Sequence, residues 1–285
     1  MNTKKFPRTE VAGVSLSRML IGTNWMLGWS HQTTSADAMI TNKFNSSKKF
    51  FPVLSAFLDY DIDCIMGVVG GMPILQDAMA YAEEKTGKKF IKIDTPIINV
   101  HDSAEARREA EAVIKKSAAA GATFCLPHHS SVEQLVDKGK GVINRIDDYT
   151  KMIRDAGMIP GLSAHMPELI VYSDANGYDV ETYVQLFNCM GFLMQVEVEQ
   201  VAQIIHNAKK PVITIKSMAA GRVTPYIGLT FNWNVLREKD MITVGCFSAD
   251  EVHQDVEISF AALEGRFPDL GKRSSPNTKQ AAFGK

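Results

Sequence analysis

Only four cysteines are spread over the 285 residues, at positions 64, 125, 189 and 246, and none forms a CxxC pair. Neither a disulfide framework nor a thiolate zinc site is indicated, and four reduced thiols are expected. An excess of one charge is also missing: 31 lysines and arginines face 32 aspartates and glutamates, for a net charge of -1. That balance leaves no electrostatic footprint for nucleic acid or for an anionic membrane. The longest apolar stretch, Cys64 to Leu75, holds three glycines and a proline, and it falls short of the ~20 residues that a spanning helix needs. Phosphate-loop and dinucleotide glycine motifs (GxxxxGK[ST], GxGxxG) do not occur. No basic, apolar, small-residue leader opens the chain, so a cytoplasmic protein is expected. The partner these absences leave is a small molecule; the sequence carries no signal for oligomeric state.

Short apolar runs recur along the chain: Leu20–Asn24, Ile62–Met66, Phe90–Thr95, Ala122–Pro127, Met158–Ser163, Thr182–Asn188, Pro211–Ser217 and Met241–Gly245. Their starts lie about 24 to 42 residues apart, room for a strand, a loop and a crossover helix in each unit. Eight such units in a chain of this length predict an α/β protein with a single (β/α)8 TIM barrel. Helical stretches between the runs carry boundary signals. Ser103 precedes a segment rich in helix formers, with acids early and lysines late, and Gly121 stops it. Asn144 to Ala156 ends at Gly157 in the same manner, and Ser248 with Glu251 reads as a capping box. Residues 1–19 are expected as a short hairpin or a plug at the barrel bottom. One domain over 1–270 and a polar tail over 271–285 complete the organisation.

Chemistry in such a barrel sits at the carboxyl ends of the strands. Alternation of side chains then aims them. With Ile91 and Ile93 assigned to the helix layer, Lys92 and Asp94 should point inward. By the same parity Ser163 and His165 turn inward opposite Leu162, and Lys216 turns inward with Thr214. His128 follows Phe124 and Leu126, where the strand is apolar on both faces and parity is ambiguous. Asp94, His128 and His165 thus end three successive strands and are expected to converge. Two imidazoles and a carboxylate suit a divalent metal (Mn, Zn, Fe or Ni) with positions left for substrate and water; polar pocket walls without metal are the alternative. Lys216 has three readings: a Schiff-base nucleophile if burial lowers its pKa, a point charge for an anion, or one half of a structural ion pair. Gln185 and Asn188 suit orientation of hydroxyls or a carbonyl. Asn24, Trp29 and His31 follow the first strand, with Trp29 a wall for a sugar face or a packing anchor. His129 stands beside His128 as a proton shuttle or a surface residue. The glycines of Gly67-Val-Val-Gly70-Gly71 precede a helix at Pro73, where backbone N–H groups could hold an anion.

The order of segments resembles the aldo-keto reductases. The matching pieces are Val14-Ser-Leu-Ser-Arg-Met-Leu-Ile-Gly-Thr23, Pro160-Gly-Leu-Ser-Ala-His165, Gln185-Leu-Phe-Asn188, Ile215-Lys-Ser-Met-Ala-Ala-Gly221 and Val244-Gly-Cys-Phe-Ser-Ala-Asp-Glu-Val252. The resemblance implies the barrel, carbonyl reduction with NADPH, and a tyrosine acid flanked by aspartate, lysine and histidine. Here Met66 stands at the aspartate position, Gly67 to Gly71 offers no tyrosine, Asp94 replaces the lysine, and only the histidine is matched, by His128. On the cofactor side Ser163 and Gln185 match the nicotinamide contacts, but Ala164 replaces asparagine and no basic residue lies in Cys246–Ala249. Weak NADPH binding is therefore expected. A non-redox enzyme for a small carbonyl or polyhydroxylated compound leads the readings, acting by isomerisation or elimination with the possible help of a metal. An NAD(P)-dependent oxidoreductase and a ligand-binding barrel without catalysis follow.

Overall fold

A computed structural model describes residues 4–271. The eight anticipated runs form eight parallel strands: β1 (Met19–Gly22), β2 (Cys64–Gly67), β3 (Ile91–Asp94), β4 (Phe124–Cys125), β5, β6 (Tyr183–Leu186), β7 (Val212–Ile215) and β8 (Met241–Val244). The fifth, β5, comes in two pieces, Ile159–Pro160 and Leu162–Ala164. Its first piece pairs with β4 and its second with β6, while β8 pairs with β1. The sheet therefore closes across Gly161. A Cβ there would stand 2.7 Å from both the Leu126 side chain and the Thr182 carbonyl, so glycine is what allows the strand to switch neighbours.

Helices pack outside the strands, each built as its sequence dictates. In the helix Ala104–Ala119, the Ser103 hydroxyl accepts from the Ala106 N–H at 3.1 Å, and Ala106, Ala110, Ile114 and Ser117 form its buried face at helical spacing. Ser248 caps the last helix, Ala249–Glu264, in the same way through the Glu251 N–H. Gly121 and Gly157 both take left-handed φ where those stops were anticipated. All four cysteines are free thiols.

The barrel interior is a small apolar core of Leu20, Cys64, Met66, Ile93, Phe124, Leu126, Val184, Ile213 and Met241. The expected N-terminal hairpin, Arg8–Val11 with Val14–Ser17, adds Val11 and Leu16 to this core and stoppers the bottom. Each fully buried residue of this kind stabilises by roughly 1.5–3 kcal/mol. Truncating Phe124 to alanine would cost about 3–5 kcal/mol. This core also fixes strand parity, and two assignments change. Ile91 and Ile93 pack on the interior, so Lys92 and Asp94 face the helix layer, and Ile213, not Thr214, faces inward on β7. The polar tail anticipated after residue 270 lies, apart from Gly271, outside the described residues.

Candidate functional site

One large cavity of about 980 Å³ opens at the carboxyl ends of the strands. Asn24, Trp29, His31, His128, His129, Ser163, His165 and Lys216 all line it, eight of the residues that the sequence pointed to. Asp94, Gln185 and Asn188 do not. Met66 forms part of the wall, an apolar group where a family member would carry an acid.

Asp94 is the main correction. Its carboxylate accepts from the N–H groups of Val69 at 2.7 Å and Gly70 at 3.1 Å, and the residue is fully buried. Burial raises its pKa, opposed by the Ser117 hydroxyl and these backbone donors. The backbone N–H groups of the glycine-rich stretch after β2 are thus engaged by the side chain of Asp94. A Cβ at position 70 would lie 2.7 Å from the Asp94 carboxylate and 3.1 Å from the Ser117 backbone. The proposed unit of Asp94, His128 and His165 therefore does not form. Among the described residues no three His, Cys, Asp or Glu side chains gather as a metal would need, so the donor set does not fit the anticipated divalent ion. Gln185 and Asn188 serve the backbone instead: Gln185 donates to the carbonyls of His165 and Leu186. Asn188 ties down the following loop through Met190 and Phe192.

Three imidazoles form one layer on the opposite wall. The rings of His129 and His165 stack at 3.8 Å, and His128 lies 4.2 Å from His129. His128 caps the short helix His129–Val132 with Nδ1 accepting from the Ser130 N–H at 3.3 Å. An Nδ1 that accepts carries no proton, which leaves the neutral ring protonated at Nε2. Glu133 secures the layer from behind. Its Oε1 accepts from the N–H groups of His165 and Met166 at 2.6 and 2.9 Å, and its Oε2 lies 3.7 Å from His129 Nδ1. Burial, then the charges of His129 and Lys216, press His128 down to about 4. Burial, then Lys216 and His129, press His165 down to about 3. Both rings are neutral at physiological pH.

Lys216 closes β7. It reaches the mouth not by parity but because its backbone turns left-handed, with φ of 60°, and Ala219 and Ala220 follow at 49° and 54°. Such conformations cost about 1–2 kcal/mol each outside glycine, and they turn a residue from one face of the strand to the other. Burial pushes the amine down to about 8, with no counter-charge acting on it.

The far wall was not anticipated from the sequence. Ser217, Thr243, Glu251, Gln254 and Asp255 line it, and Ser217 Oγ, Thr243 Oγ1 and Asp255 Oδ1 are buried without a hydrogen-bond partner. Burial raises Asp255 to about 7, opposed by the Cys246 thiol and helped by Glu251. A usable signal existed: Val252, Asp255, Val256 and Ser259 share one face of the last helix, so a carboxylate sits on an apolar stripe. Lys43, distant in sequence, donates to the Phe247 carbonyl and brings a cation close to a segment that has none of its own.

The barrel is similar in fold to solved aldo-keto reductases, as the sequence resemblance implied. Its fold is similar to a "putative aldo-keto reductase" from Pseudomonas aeruginosa, with TM-score 0.64 and 13% identity over 92% of this chain and 98% of the other. It is also similar to an aldo-keto reductase from Bacillus halodurans, with TM-score 0.58 and 8% identity over 95% and 99%. A third relative in fold is an aldose reductase from Giardia lamblia, with TM-score 0.50 and 11% identity over 94% and 90%. No family model and no curated protein sequence matches the chain.

Proposed function

We propose that the protein is an enzyme that moves a proton on a small carbonyl or polyhydroxylated compound held between Lys216 and the three histidines. The observation that carries this reading is the composition of one cavity wall: a half-buried lysine, unpaired among the described residues, beside imidazoles that are neutral at physiological pH. A neutral imidazole can take the proton from a carbon next to a carbonyl, and an adjacent cation stabilises the enolate that results. His165 and His128 are the bases of this scheme, and Lys216 holds the carbonyl oxygen. Trp29 and Asn24 at the rim and Ser163 on the wall offer a flat face and polar groups for hydroxyls. Metal assistance is left out, because the donor set does not fit.

The test is deuterium exchange. Dihydroxyacetone and glyceraldehyde are incubated with the protein in heavy water and followed by NMR. Deuterium should enter at the carbon next to the carbonyl, and His165→Ala should abolish entry.

The far wall supports a second reading, an NAD(P)-dependent oxidoreductase. Three partnerless buried polar atoms fit a polar ligand lying across the mouth, such as the dinucleotide that this fold implies. An adenosine 2′-phosphate fits poorly, since the lining there carries Glu251 and Asp255 and the nearby Lys43 is engaged by the Phe247 carbonyl. Micromolar binding of NADH, seen by fluorescence quenching in a protein that exchanges no deuterium, would replace the first reading with this one.

A further inference from the structure

We infer that Lys216 is a covalent catalyst, forming an imine with the carbonyl carbon of the ligand rather than only holding its oxygen. The inference rests on the proton-transfer reading of the same cavity and extends it.

Its place in the cavity singles this lysine out. Lys43, Lys92, Lys209 and Lys239 also lack a carboxylate among the described residues, but they donate to backbone carbonyls. Lys5, Lys85, Lys88, Lys89, Lys115 and Lys138 each pair with a carboxylate. Lys216 lines the cavity, and burial alone acts on its ammonium, with no hydrogen bond and no counter-charge among the described residues. The structural reading of an inward lysine needs a carboxylate partner. Asp94 cannot serve, because it faces the helix layer and is held by Val69 and Gly70. The strained turn at the end of β7 delivers the amine to the mouth at the cost of an unfavourable backbone. Backbone strain of this kind persists where the position of a side chain matters. The surrounding wall contains Met66, Val184 and Ile215, an apolar setting that favours the free amine over the ammonium.

A free amine beside neutral imidazoles has what the addition needs. The Lys216 Nζ lone pair attacks the carbonyl carbon, a C–N bond forms, and the π pair moves to oxygen. One nitrogen proton passes to a histidine, and the oxygen is protonated to give a carbinolamine. A second proton on that oxygen lets it leave as water while the nitrogen lone pair forms the C=N bond. The histidine returns the first proton and solvent supplies the second, so the net change is carbonyl plus amine plus one proton to iminium plus water, with nothing oxidised or reduced. The iminium acidifies the neighbouring C–H bond, and His165 or His128 takes that proton to give an enamine.

Reductive trapping tests this. The protein is incubated with dihydroxyacetone or pyruvate and sodium cyanoborohydride, then read by intact mass and peptide mapping. One saturable adduct should form at Lys216, at a rate that rises through about pH 8, and Lys216→Arg should abolish it. A substrate-independent arm uses competitive trace acetylation, in which Lys216 should react ahead of exposed lysines at pH 8. Adducts scattered over surface lysines at equal rates in both proteins, or acetylation of Lys216 that lags the exposed lysines, would overturn the covalent role. Deuterium exchange that continues with no trappable adduct also removes the imine and leaves the proton-transfer reading standing. Loss of both signals removes both.

Discussion

The imidazole of His129 lies flat on that of His165, 3.8 Å away with 17° between the ring planes. The pair is stabilised only while both rings are not charged together, since two imidazolium ions at that distance repel. What keeps the stack in place is Glu133, which binds the His165 backbone with one oxygen and faces His129 with the other.

Glu133→Ala should therefore disorder the layer without touching the cavity directly. Two backbone donors lose an ionised acceptor, a cost of about 2–4 kcal/mol, read by urea unfolding. Glu133→Gln keeps an acceptor oxygen and should restore most of this stability. Burial raises the Glu133 pKa, but His129 and the two backbone donors outweigh it and leave the value lowered. A depressed carboxylate contributes stability that is fully present above its ordinary value near 4.5 and is lost as pH falls further. Wild type and Glu133→Gln should accordingly converge in stability in acid. A constant gap at all pH values would show that the charge is not involved.

Asp94→Ala should cost about 2–4 kcal/mol, since two buried backbone N–H groups lose their partner. Its effect on any metal content should be nil, because the carboxylate does not face the cavity. Elemental analysis of wild type and variant checks the second point. A fall in bound metal in the variant would return Asp94 to the site.

Asp255 titrates the other way. Its folded pKa of about 7 lies above the unfolded value, so the native state binds more protons between roughly pH 4 and 7. The stability this provides is full below the unfolded value and lost as pH rises through 7. Asp255→Asn should flatten that slope and raise Tm at pH 8 relative to pH 5 when compared with wild type. Parallel Tm profiles for the two proteins would contradict the assigned burial of this carboxylate.

The strands were legible because each is a short apolar run at the spacing of a β/α unit, and the caps at Ser103 and Ser248 because a hydroxyl before a helical segment has a local partner. Asp94 was misread because charge was assigned to the mouth by alternation alone. A closed barrel fills its interior with Ile91 and Ile93, and the acid is accommodated in the helix layer by donors from another segment. Lys92 joins it there, with its ammonium on the Ala120 carbonyl at 3.2 Å. Lys216 was placed correctly for the wrong reason: a left-handed residue, invisible in the sequence, reversed its direction. Glu133 and Thr243 are placed by closure of the barrel, which no local pattern encodes, whereas Asp255 was marked by its position on the apolar stripe of the last helix.

The hairpin fills the lower end of the barrel with Val11 and Leu16, so the barrel is stoppered at the end away from the cavity. Trp29, His31 and Arg222 line the cavity at the opposite end. Arg222 is pinned there between the His31 carbonyl and the face of Phe192, so that end is built from three separate loops.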